Sequence, residues 1–134
     1  MQLTLHTDIA LRLLIAATRS GEVPVALPGF SAVQKISYNH VAKVGQALTR
    51  AGYLQSIRGR SGGMKLALPA EEISIGQVVR QMEPTMQLAD CPNCAIRDDC
   101  SLIDPLEEAK RAFLAVLDRQ TLADVARSTK SAAA

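Results

Sequence analysis

Across residues 37–68 the chain carries a pattern that few folds accommodate: a capped amphipathic helix leading straight into two short alternating strands joined by a glycine-rich turn. Ser37 is a preferred cap, and Val41, Val44, Leu48 and Ala51 recur behind it at helical spacing before Gly52 supplies the C-terminal stop. Residues 53–58 and 64–68 then read as strands around Gly59-Arg60-Ser61-Gly62-Gly63, with Met64, Leu66 and Leu68 alternating onto one face. Upstream, Thr7 can cap a helix running to about residue 19. Ile9, Leu13, Ala16 and Ala17 line one side of it, and Leu11, Leu14 and Ile15 widen its apolar surface. Residues 20–29, with Gly21, Pro24, Pro28 and Gly29, read as a loop, leaving room for only a short helix over 30–36. Helix, short helix, longer capped helix and basic hairpin, in that order, predict a mainly α chain with a small β-hairpin, arranged as a winged helix-turn-helix. Aromatic residues at 3%, with no Trp, argue against an all-β sandwich.

Beyond the hairpin, Ser74 with Gln77 three residues on marks the start of a helix carrying Ile75, Val78, Val79 and Met82, which stops before Pro84. Residues 84–103 hold all three cysteines and little periodicity. Asp104-Pro105 opens a last long helix to about residue 120, with Leu106, Ala109, Phe113, Val116 and Leu117 as its apolar stripe. A short turn over 122–126 precedes a Ser/Ala tail at 128–134 expected to be disordered. With 134 residues the prior is a single core. The longest apolar stretch, over residues 9–18, is interrupted by Arg12 and too short for a membrane span or signal-peptide core, so a cytoplasmic protein with no membrane partner is expected.

Charge is distributed unevenly. Residues 23–70 contain no Asp or Glu, while Lys35, Lys43, Arg50, Arg58, Arg60 and Lys65 give this window +6 within a chain whose net charge is +2. A 48-residue segment free of carboxylates is a candidate footprint for a polyanion, and it coincides with the second helix, third helix and hairpin. The competing account is a solvated basic face with no partner. In a winged helix the third helix enters the major groove while the wing reaches backbone or minor groove. The candidate contacts to double-stranded DNA are therefore Ser37, Tyr38, Asn39, His40, Lys43 and Arg50 on the helix, and Arg58, Arg60, Ser61, Gly62 and Gly63 on the wing. Asn39 can bond adenine bidentately, and His40, Lys43 and Tyr38 can reach bases or phosphates. The wing glycines would let the backbone approach the duplex, or would simply permit a tight turn. The wing lacks the G-x-x-x-x-G-K-[ST] spacing of a phosphate-binding nucleotide loop.

Cys91, Cys94 and Cys100 follow the spacing C-x2-C-x5-C within ten residues. An odd count in a cytoplasmic chain speaks against a disulfide framework and leaves an iron–sulfur site, a zinc site, thiol redox chemistry, or inert thiols. Zinc prefers four protein ligands, and neither His6 nor His40 is near this loop in sequence. Iron–sulfur clusters prefer thiolates, and three of them plus one weaker ligand would leave one iron open to exchange. The C-x2-C pair does not open a helix after a strand, as it does in thioredoxin-like units, and no carboxylate pair, Ser-His arrangement or H-E-x-x-H suggests an enzyme.

Several stretches together resemble the NsrR-type repressors, the nitric-oxide-sensing branch of the winged-helix iron–sulfur regulators that include IscR. They are Gln2-Leu3-Thr4, Thr7-Asp8-Ile9-Ala10-Leu11-Arg12, Asn39-His40-Val41-Ala42-Lys43-Val44, Arg50-Ala51-Gly52-Tyr53-Leu54 and the wing from Arg58 to Gly63. Ile75-Gly76-Gln77-Val78-Val79-Arg80, Glu83-Pro84, the cysteine loop and Ala112-Phe113-Leu114 continue the match to about Val125. The resemblance implies a homodimer paired through the long C-terminal helix, repressing promoters with imperfect palindromic operators and responding to nitric oxide. It implies one [4Fe-4S] cluster per subunit on Cys91, Cys94 and Cys100, with Asp8 of the partner subunit as fourth ligand. Without the family, Asp8 is an ordinary first-turn carboxylate on a helix dipole. The two-residue gap between Cys91 and Cys94 is shorter than is usual in the family, which keeps a [2Fe-2S] form open. An iron or cluster-supply sensor of the IscR type is the other implied function. The expected organisation is a DNA-binding domain at 1–83, a cluster loop at 84–103, a dimerisation helix and short terminal helix at 104–127, and the tail.

Overall fold

The computed structural model describes residues 1–127, and the expected disordered tail lies outside them. Helix α1 (Leu5–Ser20) is capped by Thr4, whose hydroxyl accepts the Thr7 N–H at 3.3 Å. The helix therefore begins three residues before the start expected from a Thr7 cap. Both threonines can cap; the core claims Thr7, fully buried in the first turn with its hydroxyl 3.2 Å from Thr4 Oγ1. Helix α2 (Leu27–Gln34) also starts earlier than expected, taking in Pro28 and Gly29. Proline is tolerated in a first turn, where its missing N–H costs no helical hydrogen bond. Lys35, in the left-handed region at φ 56°, ends α2 and turns the chain toward α3 (Tyr38–Arg50). Ser37 caps α3 as expected, accepting the His40 N–H at 3.2 Å.

Strands β1 (Leu54–Ile57) and β2 (Gly63–Leu66) form an antiparallel hairpin with Leu54 opposite Leu66 and Ile57 opposite Gly63. An isolated bridge between Val25 and Met64 fastens its second strand to the segment before α2. Helix α4 (Ile75–Met82) is capped by Ser74, which accepts the Gln77 N–H at 3.4 Å. Two 3-10 turns, Cys91–Asn93 and Arg97–Asp99, interrupt the cysteine loop. Helices α5 (Ile103–Asp118) and α6 (Leu122–Ala126) follow, the latter closed by a reciprocal capping box between Thr121 and Asp124.

The core gathers around α1, whose Ile9, Leu13 and Leu14 are fully buried against α3, α4, α6 and β2. Val41, Val44 and Leu48 of α3, Leu54, Ile73, Val78, Val79 and Leu122 complete it. Helix α5 is different. Only Leu114 is buried, Leu117 packs at the edge of the core, and Phe113 and Val116 of the expected stripe point outward, with Val116 51% exposed. The stripe thus divides: Leu117 meets the core, Leu106, Ala109 and Phe113 border a hollow of about 380 Å³ shared with Leu3 and Met86, and Val116 is exposed.

The end of α5 is anchored on α4 by Arg80, whose guanidinium donates to both carboxylate oxygens of Asp118. This pairing holds the Asp118 carboxyl below its ordinary range. The carboxylate also occupies the space in front of Gly76, where an added Cβ would lie 1.8 Å from Asp118 Oδ1 and 2.9 Å from the Asp118 backbone nitrogen. On helix propensity alone Gly76→Ala would stabilise by about 1 kcal/mol, whereas overpacking costs about 1–3 kcal/mol. We expect the clash to win and the melting temperature to fall; a rise would show that α4 and α5 separate without penalty. Because the Asp118 carboxyl is more acidic folded than unfolded, its contribution is complete above the usual carboxylate range and is lost as pH falls through the lowered value. Asp118→Asn should therefore be less stable than the parent at pH 7, with the difference between their urea midpoints shrinking toward pH 3.

Candidate nucleic-acid interface and cysteine loop

Helix α3 is two-faced. Val41, Val44, Gly45 and Leu48 are buried against the body, which leaves Tyr38, Asn39, Lys43, Gln46 and Arg50 exposed. The outward side chains fall into two sets. Ser37, Asn39, His40, Lys43 and Arg50 line a recess of about 660 Å³ together with His6 from α1. Tyr38, Arg60, Gly62 and Gly63 line a second groove of about 440 Å³ between α3, the wing and the start of α2. Gln46 borders both. Arg58 and Ser61 are exposed on the wing and line neither hollow.

The cations of the carboxylate-free window are available. Among the described residues only Lys65 of the six forms an ion pair, donating to Glu22 at 2.7 Å; Lys35, Lys43, Arg50, Arg58 and Arg60 form none. That pairing holds the Glu22 carboxyl below its ordinary range. The wing glycines have a local reason. A Cβ on Gly62 would lie 2.2 Å from the Ile57 carbonyl oxygen, and one on Gly63 2.2 Å from the Val25 carbonyl oxygen. Both positions need glycine to close the hairpin and dock it on the strand-like segment before α2, whatever lies outside.

The cysteine loop follows Glu83, the C-cap of α4, which reaches back to the root of α1: its Oε1 accepts the Thr4 N–H at 2.6 Å. Within the loop the Cys94 N–H donates to the Cys91 carbonyl at 3.2 Å, and the Asn93 amide donates to both oxygens of the Asp90 carboxylate at 2.9 and 3.0 Å. Cys91 and Cys100 are half-buried, Cys94 is exposed, and none is in a disulfide. Three soft donors within ten residues, two of them joined through one 3-10 turn, suit a thiophilic centre such as an iron–sulfur cluster. The donor chemistry fits, but no set of three His, Cys, Asp or Glu side chains converges as a metal cage among the described residues. Asp8 sits on the first turn of α1, where Arg12 Nε donates to its Oδ1 at 2.9 Å.

The sequence model of the Rrf2 family, described as iron-dependent transcriptional regulators, matches residues 3–128. The chain belongs to the Rrf2 family. It is 41% identical to the HTH-type transcriptional regulator NsrR of Bacillus subtilis, over 96% of this chain and 92% of that protein. It is 40% identical to NsrR of Halalkalibacterium halodurans, over 93% and 90%. Among solved structures it resembles the global cysteine regulator CymR of B. subtilis, with a TM-score of 0.77 at 25% identity over 94% of this chain and 96% of that one. It also resembles T. potens IscR, with a TM-score of 0.75 at 25% identity over 98% and 88%. This Rrf2 chain is thus an NsrR-type winged-helix protein and a DNA-binding transcriptional regulator. No helix among its described residues is long and apolar enough to cross a membrane.

Two residues of the Rrf2 chain's basic surface were not among the candidate DNA contacts expected from sequence. Gln46 shares the outward face of α3 with Lys43 and Arg50, which helical spacing alone allows. His6 carries no such signal, because it belongs to the first helix and meets α3 only through packing.

Proposed function

We propose that the chain is a repressor that binds palindromic operators as a homodimer, and that an iron–sulfur cluster held by Cys91, Cys94 and Cys100 makes operator affinity sensitive to nitric oxide. The observation that carries this reading is the exposed loop of three free thiols, tied by Glu83 to the helix that buttresses a basic, carboxylate-free recognition surface. We assign the duplex contacts to Ser37, Tyr38, Asn39, His40, Lys43 and Arg50 in the major groove and to Arg58, Arg60, Ser61, Gly62 and Gly63 on the wing. Residues 1–83 form the DNA-binding unit, 84–103 the cluster loop, and 104–127 the dimerising part. The outward row of Leu102, Phe113 and Val116 supports pairing of α5 with a second copy, since an apolar face of this kind is costly to leave in water. The protein works in the cytoplasm as a regulator rather than a catalyst.

We assign the fourth ligand to Asp8 of the partner subunit, with one [4Fe-4S] cluster per subunit and a [2Fe-2S] form as the alternative that the short Cys91–Cys94 gap keeps open. Arg12 holds Asp8 through two parallel hydrogen bonds on a partly exposed face of α1, so ligation by a cluster would have to displace that pair. A bound cluster supplies iron whose weakest ligand is a carboxylate oxygen, the position open to nitric oxide. The chain's own residues transmit position. Glu83 fixes the loop to the N-cap of α1, and α1 packs directly on α3, so a shift at the loop moves the recognition helix. Moving an operator from mostly bound to mostly free takes a differential of about 3–5 kcal/mol between the two states. A second reading, a sensor of iron or cluster supply, is favoured by the iron-dependent description of the family. Operator release on chelation without nitric oxide would select it.

Lys43→Ala and Arg60→Ala should each weaken operator binding and make the log–log salt slope shallower by about 0.9 for every phosphate left without its cation, read by fluorescence anisotropy between 50 and 200 mM salt. Asn39→Ala should relax preference at one base position per half-site by about 1–3 kcal/mol; a loss uniform over all sequences would argue against base readout. Anaerobically purified protein should be brown, contain iron and sulfide, and lose operator binding with nitric oxide, whereas Asp8→Ala should alter the absorption spectrum or its response without unfolding the chain. Colourless protein that still discriminates its promoter fully would overturn the cluster mechanism.

A further inference from the structure

His6 lies outside the helix-turn-helix, in the first turn of α1, yet it lines the recess formed by Ser37, Asn39, His40, Lys43 and Arg50 on the outward side of α3. Its ring stands 6.4 Å from that of His40, centroid to centroid, with the planes inclined by 32°. Two features separate this pair from an ordinary packed histidine contact. Neither imidazole spends a ring nitrogen on a hydrogen bond among the described residues: the Ser37 contact of His40 uses its backbone N–H. And the recess contains no carboxylate, while its charged lining is Lys43 and Arg50, both without ion pairs among the described residues. A half-open hollow edged with unused donors and two free cations, beside a helix that reads the major groove, has the chemistry of a phosphate seat.

The geometry points to His6 as a DNA-backbone contact contributed by α1, paired with His40 across the recess and donating a ring N–H to a phosphate oxygen of the operator. This rests on the DNA-binding reading of α3 given above. His6 fixes the angle at which α3 enters the groove, since a phosphate held by α1 on one side and by Lys43 or Arg50 on the other cannot slide along the helix. It carries no base information.

The test uses the full-length, cluster-loaded protein and two duplexes: a 30-base-pair sequence selected by the wild-type protein from a random pool, and a scrambled duplex of the same composition. His6→Phe keeps a ring against His40 and removes both nitrogens; His6→Gln keeps a side-chain donor. His6→Phe should weaken binding to both duplexes by three- to tenfold with their ratio unchanged, while His6→Gln retains most of the wild-type affinity and all three proteins share one melting temperature and one absorption spectrum. Binding by His6→Phe within twofold of wild type overturns the inference. So does a loss confined to the selected duplex, which would make His6 a base reader, and so does an equal loss in both variants, which would make it a packing residue. If wild type binds no duplex at all, the DNA-binding reading falls first and this inference with it.

Discussion

Everything in this molecule hangs on the burial of one helix. Helix α1 offers Ile9, Leu13 and Leu14 to three helices and a strand at once, and no other element touches so many parts of the fold. Helix α3 cannot be positioned without it: Val41, Val44 and Leu48 are the residues that meet the core, and their burial is what turns Asn39, Lys43 and Arg50 outward. At about 1.5–3 kcal/mol per fully buried aliphatic side chain, this packing outweighs any single polar interaction in the structure. The orientation of the basic outward face of α3 is therefore a consequence of apolar packing on its opposite side.

The same helix makes the cysteine loop and the basic face of α3 neighbours in mechanical terms. Thr4 is held from the loop side by Glu83, His6 reaches the recess beside α3, and Arg19 at the far end donates to the Ala126 carbonyl of α6 at 2.8 Å. Helix α5 joins this frame through Leu114, Leu117 and the Arg80–Asp118 pair. The interior thus uses one edge of α5 and leaves Leu102, Phe113 and Val116 exposed.

Much of this was legible in the residues. Ser37, Ser74 and the run after Gly52 announced their elements because caps and hairpin turns are set by chemistry within three or four positions. Thr4 and Thr7 were not separable that way: both have the hydroxyl a cap needs, and only packing shows that the core takes Thr7. Pro28 reads as a loop residue in isolation, but the first turn of α2 accepts it. The glycines of the wing were recognisable as necessary, while the reason, the carbonyls of Ile57 and Val25 within 2.2 Å of where a Cβ would stand, lies partly in a segment nearly forty residues upstream.

By itself, the order of residues determined the succession of helices and hairpin, the 48-residue stretch without carboxylates and the clustering of three thiols, since periodicity, capping and local charge act over short distances along the chain. Only the tertiary structure decided which of the window's five cations without ion pairs among the described residues share a hollow, that His6 joins them, that Glu83 grips Thr4 across 79 positions, and which edge of α5 stays uncovered. Those are matters of where distant segments meet, and that is fixed by how the apolar faces fill one common core, not by any local signal.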